Sequence, residues 1–127
     1  MKSIVCTEPG NLIIEERSDP TPPKGWVTLK MKRIGLCGTD FHIFKGLHPF
    51  LEYPRVMGHE LSGEILETPK NSRFSVGDRV IINPYLSCGN CVSCKKNKSN
   101  CCVNLKVLGV HTDGGMCEFL CLPERAI

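Results

Sequence analysis

The sequence predicts a mainly β domain, on three observations. The segment GWVTLKMKRI alternates Val27, Leu29 and Met31 with Thr28, Lys30 and Lys32, the period of two that turns one face of a strand toward a core. Further short β-forming runs recur along the chain, each set off by Gly, Pro, Asn or Asp turn signals. No long stretch sustains the apolar period of a helix.

In chain order the predicted strands are SIVC near the start, NLIIEE, the alternating run from Gly25 to Ile34, LSGEILE, GDRVIIN, LKVLGV and GMCEFLCL. The proline-rich stretch SDPTPPKG reads as a loop between the second and third strands, because proline fixes φ and removes a ladder donor. CGTDFHIFKG, just past Gly35, is the one segment expected to form a short helix. No internal repeat, low-complexity tract or linker divides the 127 residues, so one domain is expected.

Composition narrows the function classes. The net charge is +3, and the basic residues are scattered except for Lys95, Lys96 and Lys98. A nucleic-acid partner calls for a stronger, one-sided field, so none is expected. Apolar runs fall far short of the roughly 20 residues that span a bilayer, and MKSIVCTEPGN lacks a signal-peptide core. The expectation is a soluble, cytoplasmic chain without a membrane partner. Nine cysteines with no export signal then point to metal in a reducing compartment rather than to a disulfide framework.

Cys88, Cys91, Cys94 and Cys102 have the spacing C-x2-C-x2-C-x7-C. A compact loop can turn three thiolates inward while the fourth returns to close a tetrahedron, at about 2.3 Å from a zinc ion. Cys101 could replace Cys102 on chemistry alone. An iron–sulfur cluster is the rival, but the bacterial ferredoxin run places its fourth cysteine after three residues and before proline, whereas here the gap is longer and Val103 follows. Zinc held by four thiolates keeps no open position, so this lobe should be structural and the chemistry should lie elsewhere.

A second set of ligand and proton-transfer groups lies in GLCGTDFH at 35 to 42 and MGHELSGE at 57 to 64. Each is weak alone: Cys37 could be a small buried hydrophobe and His59 a satisfied core histidine. Five stretches in this order are more specific: LCGTDFH, YPRVMGHELSGEI, VGDRV at 76 to 80, the cysteine lobe, and DGGMCEF at 113 to 119. Together they resemble the N-terminal catalytic domain of the zinc-dependent medium-chain alcohol and polyol dehydrogenases, across essentially the whole chain. YPRVMGHE, NCC and LGVHTDGG look most like the sugar-acid branch, with its galactonate, gulonate and idonate dehydrogenases, and like relatives of threonine and sorbitol dehydrogenase.

That resemblance implies a GroES-like fold over residues 1 to 127, a partly open β-barrel with short helices, and a structural zinc lobe at 88 to 102. It implies two zinc ions per chain, the structural one and a catalytic one held by Cys37 and His59, with Glu60 as a third ligand or a nearby exchanging group. The implied reaction oxidises a secondary alcohol of a polyol or sugar acid, with hydride going to NAD or NADP and the proton relayed by Thr39 and His42. Asp40 would accept the other ring N–H of His59. The plainer readings make Thr39 a helix N-cap, His42 an exposed helix residue and Asp40 a first-turn carboxylate. Gly58, Gly63, Gly77, Gly114 and Gly115 match the family pattern as turn or close-packing positions. His48 and His111 take packing, loop or substrate-facing roles, and Cys6, Cys117 and Cys121 read as buried small hydrophobes.

The family's dinucleotide-binding Rossmann domain has no counterpart here, since the chain holds no G-x-G-x-x-G. The chain alone is therefore expected to be inactive, and the complete enzyme to be a homo-oligomer acting on a small-molecule substrate. The competing function is a non-enzymatic four-cysteine zinc module that presents its lysines to a partner.

Overall fold

A computed structural model covers Met1 to Ile127. It contains nine strands: β1 (Lys2–Glu8), β2 (Asn11–Glu16), β3 (Trp26–Gly35), β4 (Arg55–Val56), β5 (Glu60–Glu67), β6 (Arg79–Ile81), β7 (Tyr85–Leu86), β8 (Lys106–Val107) and β9 (Phe119–Pro123). Two short helices, α1 (Gly38–Phe44) and α2 (Val92–Lys95), and 3-10 turns at Ser99–Cys101 and Glu124–Ala126 complete the chain. The strands form three antiparallel sheets with the orders β2-β1-β4, β6-β5-β3-β9 and β7-β8. The mainly β architecture matches the expectation. No helix is long and apolar enough to cross a membrane.

β3 is central because it pairs along its length with β5 and, over its first half, with β9. Val27 and Leu29 are fully buried, as their alternation requires, and pack with Leu61, Ile65 and Leu122. The half-buried reading fails at Thr28, which is also buried. Its hydroxyl donates to Glu67 Oε2 at 3.2 Å and lies 3.6 Å from Cys121 Sγ, so the first half of β3 is covered on both faces. Beyond Leu29 the alternation resumes, with Lys30 and Lys32 exposed and Met31 half-buried.

A second apolar cluster sits beneath α1, where Ile43 packs with Val5, Val56, Met57, Val110 and Met116. Of the predicted LKVLGV strand Lys106 and Val107 form β8, and Leu108 makes only an isolated bridge to Thr112. The reason is that Leu108 belongs to the first core and Val110 to the second, with Gly109 at φ +73° turning the chain between them. β4 and β7, two residues each, are too short to show any period in the sequence. Cys6 is fully buried as predicted, while Cys117 and Cys121 are only partly so.

Candidate metal centres and active-site residues

The cysteine lobe is built by its own backbone. Cys91 stands at the N-cap of α2, and Cys94 lies within that helix. Asn97, at φ +56°, and the 3-10 turn that follows bring the chain back so that Cys102 reaches Cys88, whose N–H donates to Cys102 Sγ at 3.3 Å. The four sulfurs of Cys88, Cys91, Cys94 and Cys102 lie within 4.8 Å of one another. A tetrahedral zinc with bonds of about 2.3 Å holds its sulfurs about 3.8 Å apart, so the set fits that ion. Cys102 is buried in the cluster and Cys101 is exposed outside it.

Backbone N–H groups of Cys94 and Val103 hold the Cys91 thiol down to about 6, and those of Asn90 and Cys91 lower Cys88. Desolvation, followed by the neighbouring Cys91, pushes Cys94 up to about 11. The thiols of one cluster are thus shifted in opposite directions, Cys91 and Cys88 down and Cys94 up. A divalent cation is the partner that lets all four ionise.

The second group forms where β3 runs out. Gly35 ends the strand, Cys37 takes extended dihedrals as the N-cap of α1, and its sulfur accepts the N–H of Thr39 at 3.3 Å. Asp40 closes the capping box, with Oδ2 accepting the Cys37 N–H at 3.0 Å. The cap is therefore Cys37, and the plain N-cap reading of Thr39 is corrected. Opposite, Gly58 at φ +93° turns β4 into β5 and delivers His59. His59 Nε2 lies 2.8 Å from Cys37 Sγ, and its Nδ1 lies 3.7 Å from Asp40 Oδ1. The ligand atoms of Cys37, Asp40 and His59 fall within 4.8 Å of one another.

This triad also fits a metal. Asp40 is buried, and its Oδ1 and the His59 Nδ1 are both buried without a hydrogen-bond partner. Tetrahedral zinc keeps sulfur and nitrogen ligands about 3.6 Å apart, a spacing of the same order as the 2.8 Å between Cys37 Sγ and His59 Nε2. Glu60 lies outside the group: it is exposed, and its carboxylate rests over Gly35, its register partner on β3.

Thr39 is half-buried and His42 exposed, three residues apart on α1 and hence on one face of the helix. His48 Nδ1 accepts the N–H of Phe50 at 3.4 Å, and His111 Nδ1 accepts that of Val107 at 3.1 Å, so each ring is tied to its own loop. Desolvation, with smaller contributions from His111, His42 and His59, lowers the basicity of His48. Asp113, which links several segments around this site, carries no signal of that role in the sequence.

The family model for the alcohol dehydrogenase GroES-like domain matches residues 23–127. The chain is 46% identical over 126 residues to the starvation-sensing protein RspB of Escherichia coli K12, covering 98% of this chain and 37% of that protein. It is 41% identical over 128 residues to L-galactonate-5-dehydrogenase of the same organism, covering 100% and 38%. A crystal structure of an alcohol dehydrogenase (rspB) from Escherichia coli CFT073, complexed with NADH, superposes with a TM-score of 0.89 at 44% identity, covering 99% of this chain and 37% of that one. The chain thus spans less than two fifths of the length of the relatives it matches. With that agreement in sequence and in backbone, the chain belongs to the alcohol dehydrogenase GroES-like domain family.

Proposed function

We propose that residues 1 to 127 form the zinc- and substrate-binding domain of an NAD(P)-dependent dehydrogenase that oxidises a secondary alcohol of a polyol or sugar acid. The observation that carries the reading is the pairing of Cys37 Sγ with His59 Nε2 at 2.8 Å, beside the buried Asp40 and apart from a complete four-thiolate lobe. A closed site and an open one in the same domain are what structural and catalytic zinc respectively need.

Cys37 and His59 would hold the catalytic ion, with Glu60 as a nearby exchanging carboxylate; Cys88, Cys91, Cys94 and Cys102 would hold the structural one. Zinc at the first site supplies a Lewis acid that lowers the pKa of a substrate hydroxyl, and the nicotinamide supplies the hydride acceptor. The chain's own groups do the rest. Asp40 fixes the Cys37 backbone through Oδ2 and faces the His59 ring through Oδ1, so one carboxylate orients both ligands. The Thr39 hydroxyl takes the substrate proton and passes it to His42, whose exposure on α1 opens onto solvent. The similarity to L-galactonate-5-dehydrogenase supports a sugar acid as substrate. Residues 88 to 102 serve as scaffold, the dinucleotide is held by a domain outside this chain, and the chain alone is inactive.

Elemental analysis of the purified chain tests this reading, together with Cys91→Ser and Cys37→Ser. The expected result is two zinc ions per chain, one lost in each variant. Zinc that leaves only with Cys91→Ser would sink the catalytic site in this domain, and iron with visible absorption would sink the zinc assignment. Steady oxidation of a polyol by this chain with added NAD or NADP would overturn the claim of inactivity.

A further inference from the structure

Residues 55 to 58 deliver His59, and they are held from both sides. On one side Arg55 and Val56 pair with Cys6 and Val5 of β1. On the other, three successive carbonyls, those of Val56, Met57 and Gly58, accept the N–H groups of Gly114, Met116 and Gly115 at 2.7, 3.0 and 2.9 Å. The Val56 N–H, however, is bonded to a side chain: Asp113 Oδ1 accepts it at 3.1 Å. The same carboxylate takes Arg55 at 3.4 Å through Oδ1 and Arg17, just past β2, at 2.9 Å through Oδ2.

We propose that Asp113 is a positioning residue for the Cys37–His59 centre, its carboxylate setting the register of residues 55 to 58 and through them the place of the His59 ring. The inference rests on reading Cys37 and His59 as a metal pair. The physical case is that the backbone rungs from 114 to 116 come from a segment with two consecutive glycines and feed a residue at positive φ, Gly58. Such a ladder has little stiffness of its own. A charge-assisted bond from the Val56 N–H to the carboxylate of Asp113, one position before Gly114, pins it. The two arginines fix the carboxylate in turn. The ion pairs are partly exposed and contribute little by themselves, so the Val56 rung is the element that matters.

The test compares the wild-type chain with Asp113→Ala and Asp113→Asn, using cobalt(II) as the metal probe and NOEs between Cys37 and His59 side-chain protons as a readout free of metal. Asp113→Ala should keep metal in the four-cysteine lobe, lose the Cys37–His59 NOEs, and weaken cobalt at that pair about tenfold. Asp113→Asn keeps an acceptor oxygen and should stay within about threefold of wild type. Unchanged NOEs and affinity in Asp113→Ala would overturn the proposal, as would equal loss in both variants. Loss of lobe metal as well would also overturn it, since Asp113 would then hold the whole domain. A wild-type chain that shows the NOEs yet takes up cobalt only in the lobe would sink the metal pair while the NOEs still judge Asp113.

Discussion

Cys88 and Cys102 stand 14 positions apart, and the lobe they close buries almost nothing else: no residue of α2 is buried, while Val92 and Val103 point to solvent. Cys37 and His59 stand 22 positions apart and sit against an apolar cluster drawn from β1, α1, β4 and the segment around Val110 and Met116. The contact that ties the lobe's two ends together lies within the lobe, the Cys88 N–H donating to Cys102 Sγ. His59 is placed by groups as distant in sequence as Arg17 and Asp113. The difference teaches that, on the proposed zinc reading, a loop with no core of its own would be ordered by its ion, whereas the Cys37–His59 pair is ordered by the fold.

Stripping the metal should break the symmetry between them, and this is the largest effect expected. Structural zinc contributes on the order of 10 kcal/mol of local folding free energy in small zinc peptides. Chelation should therefore let the amides of residues 88 to 102 exchange freely, while those of β3, β5 and β9 stay protected. Hydrogen exchange followed residue by residue reads both. Loss of protection in the β3 sheet along with the lobe would show that the two regions are one cooperative unit and that the comparison is wrong.

Gly114→Ala probes the other region, with an intermediate effect. A Cβ at this buried position would run into the carbonyl oxygens of Gly58 and Met57, both backbone atoms that cannot swing aside. Overpacking of that kind costs about 3 kcal/mol, read as a lower midpoint in denaturant. The lobe should keep its metal, since no residue near Gly114 belongs to it. A variant as stable as wild type would mean that the segment carrying His59 is looser than its hydrogen bonds suggest.

The same contrast explains what the sequence made legible. The lobe could be read from spacing because its constraint is local, and only the choice between Cys101 and Cys102 needed coordinates, since neighbouring thiols differ only in where the 3-10 turn points them. The strands with enough residues to show a period were also legible, β3 above all. Thr28 was misread because burial on its second face comes from Cys121 and Glu67, remote partners that leave no mark on local alternation. Cys37 and His59 acquired meaning only through family resemblance. Nothing in residues 35 to 42 announces that a strand end and a Gly58 turn will bring a thiol within 2.8 Å of an imidazole. Asp113 was missed for the same reason: DGGMCEF counted only as a family-like stretch, and the Asp113 carboxylate reaches Val56, 57 positions away.

His42→Ala should have the smallest effect on the domain and is the most selective test of what the open site is for. The side chain is exposed on α1 and forms no hydrogen bond or ion pair with the rest of the chain, so stability should change by less than about 0.5 kcal/mol and both metals should remain. If the site only bound metal, nothing further would follow. If Thr39 passes a proton to His42, the substitution made in a chain that also carries a dinucleotide domain should lower turnover by up to about 100-fold. It should also change the shape of the pH profile of kcat, with KM and zinc content unchanged. A fall in KM and kcat together would instead place His42 in substrate binding. An unaltered profile would leave solvent as the proton's route from Thr39, with the helix serving only to present Cys37 and Asp40.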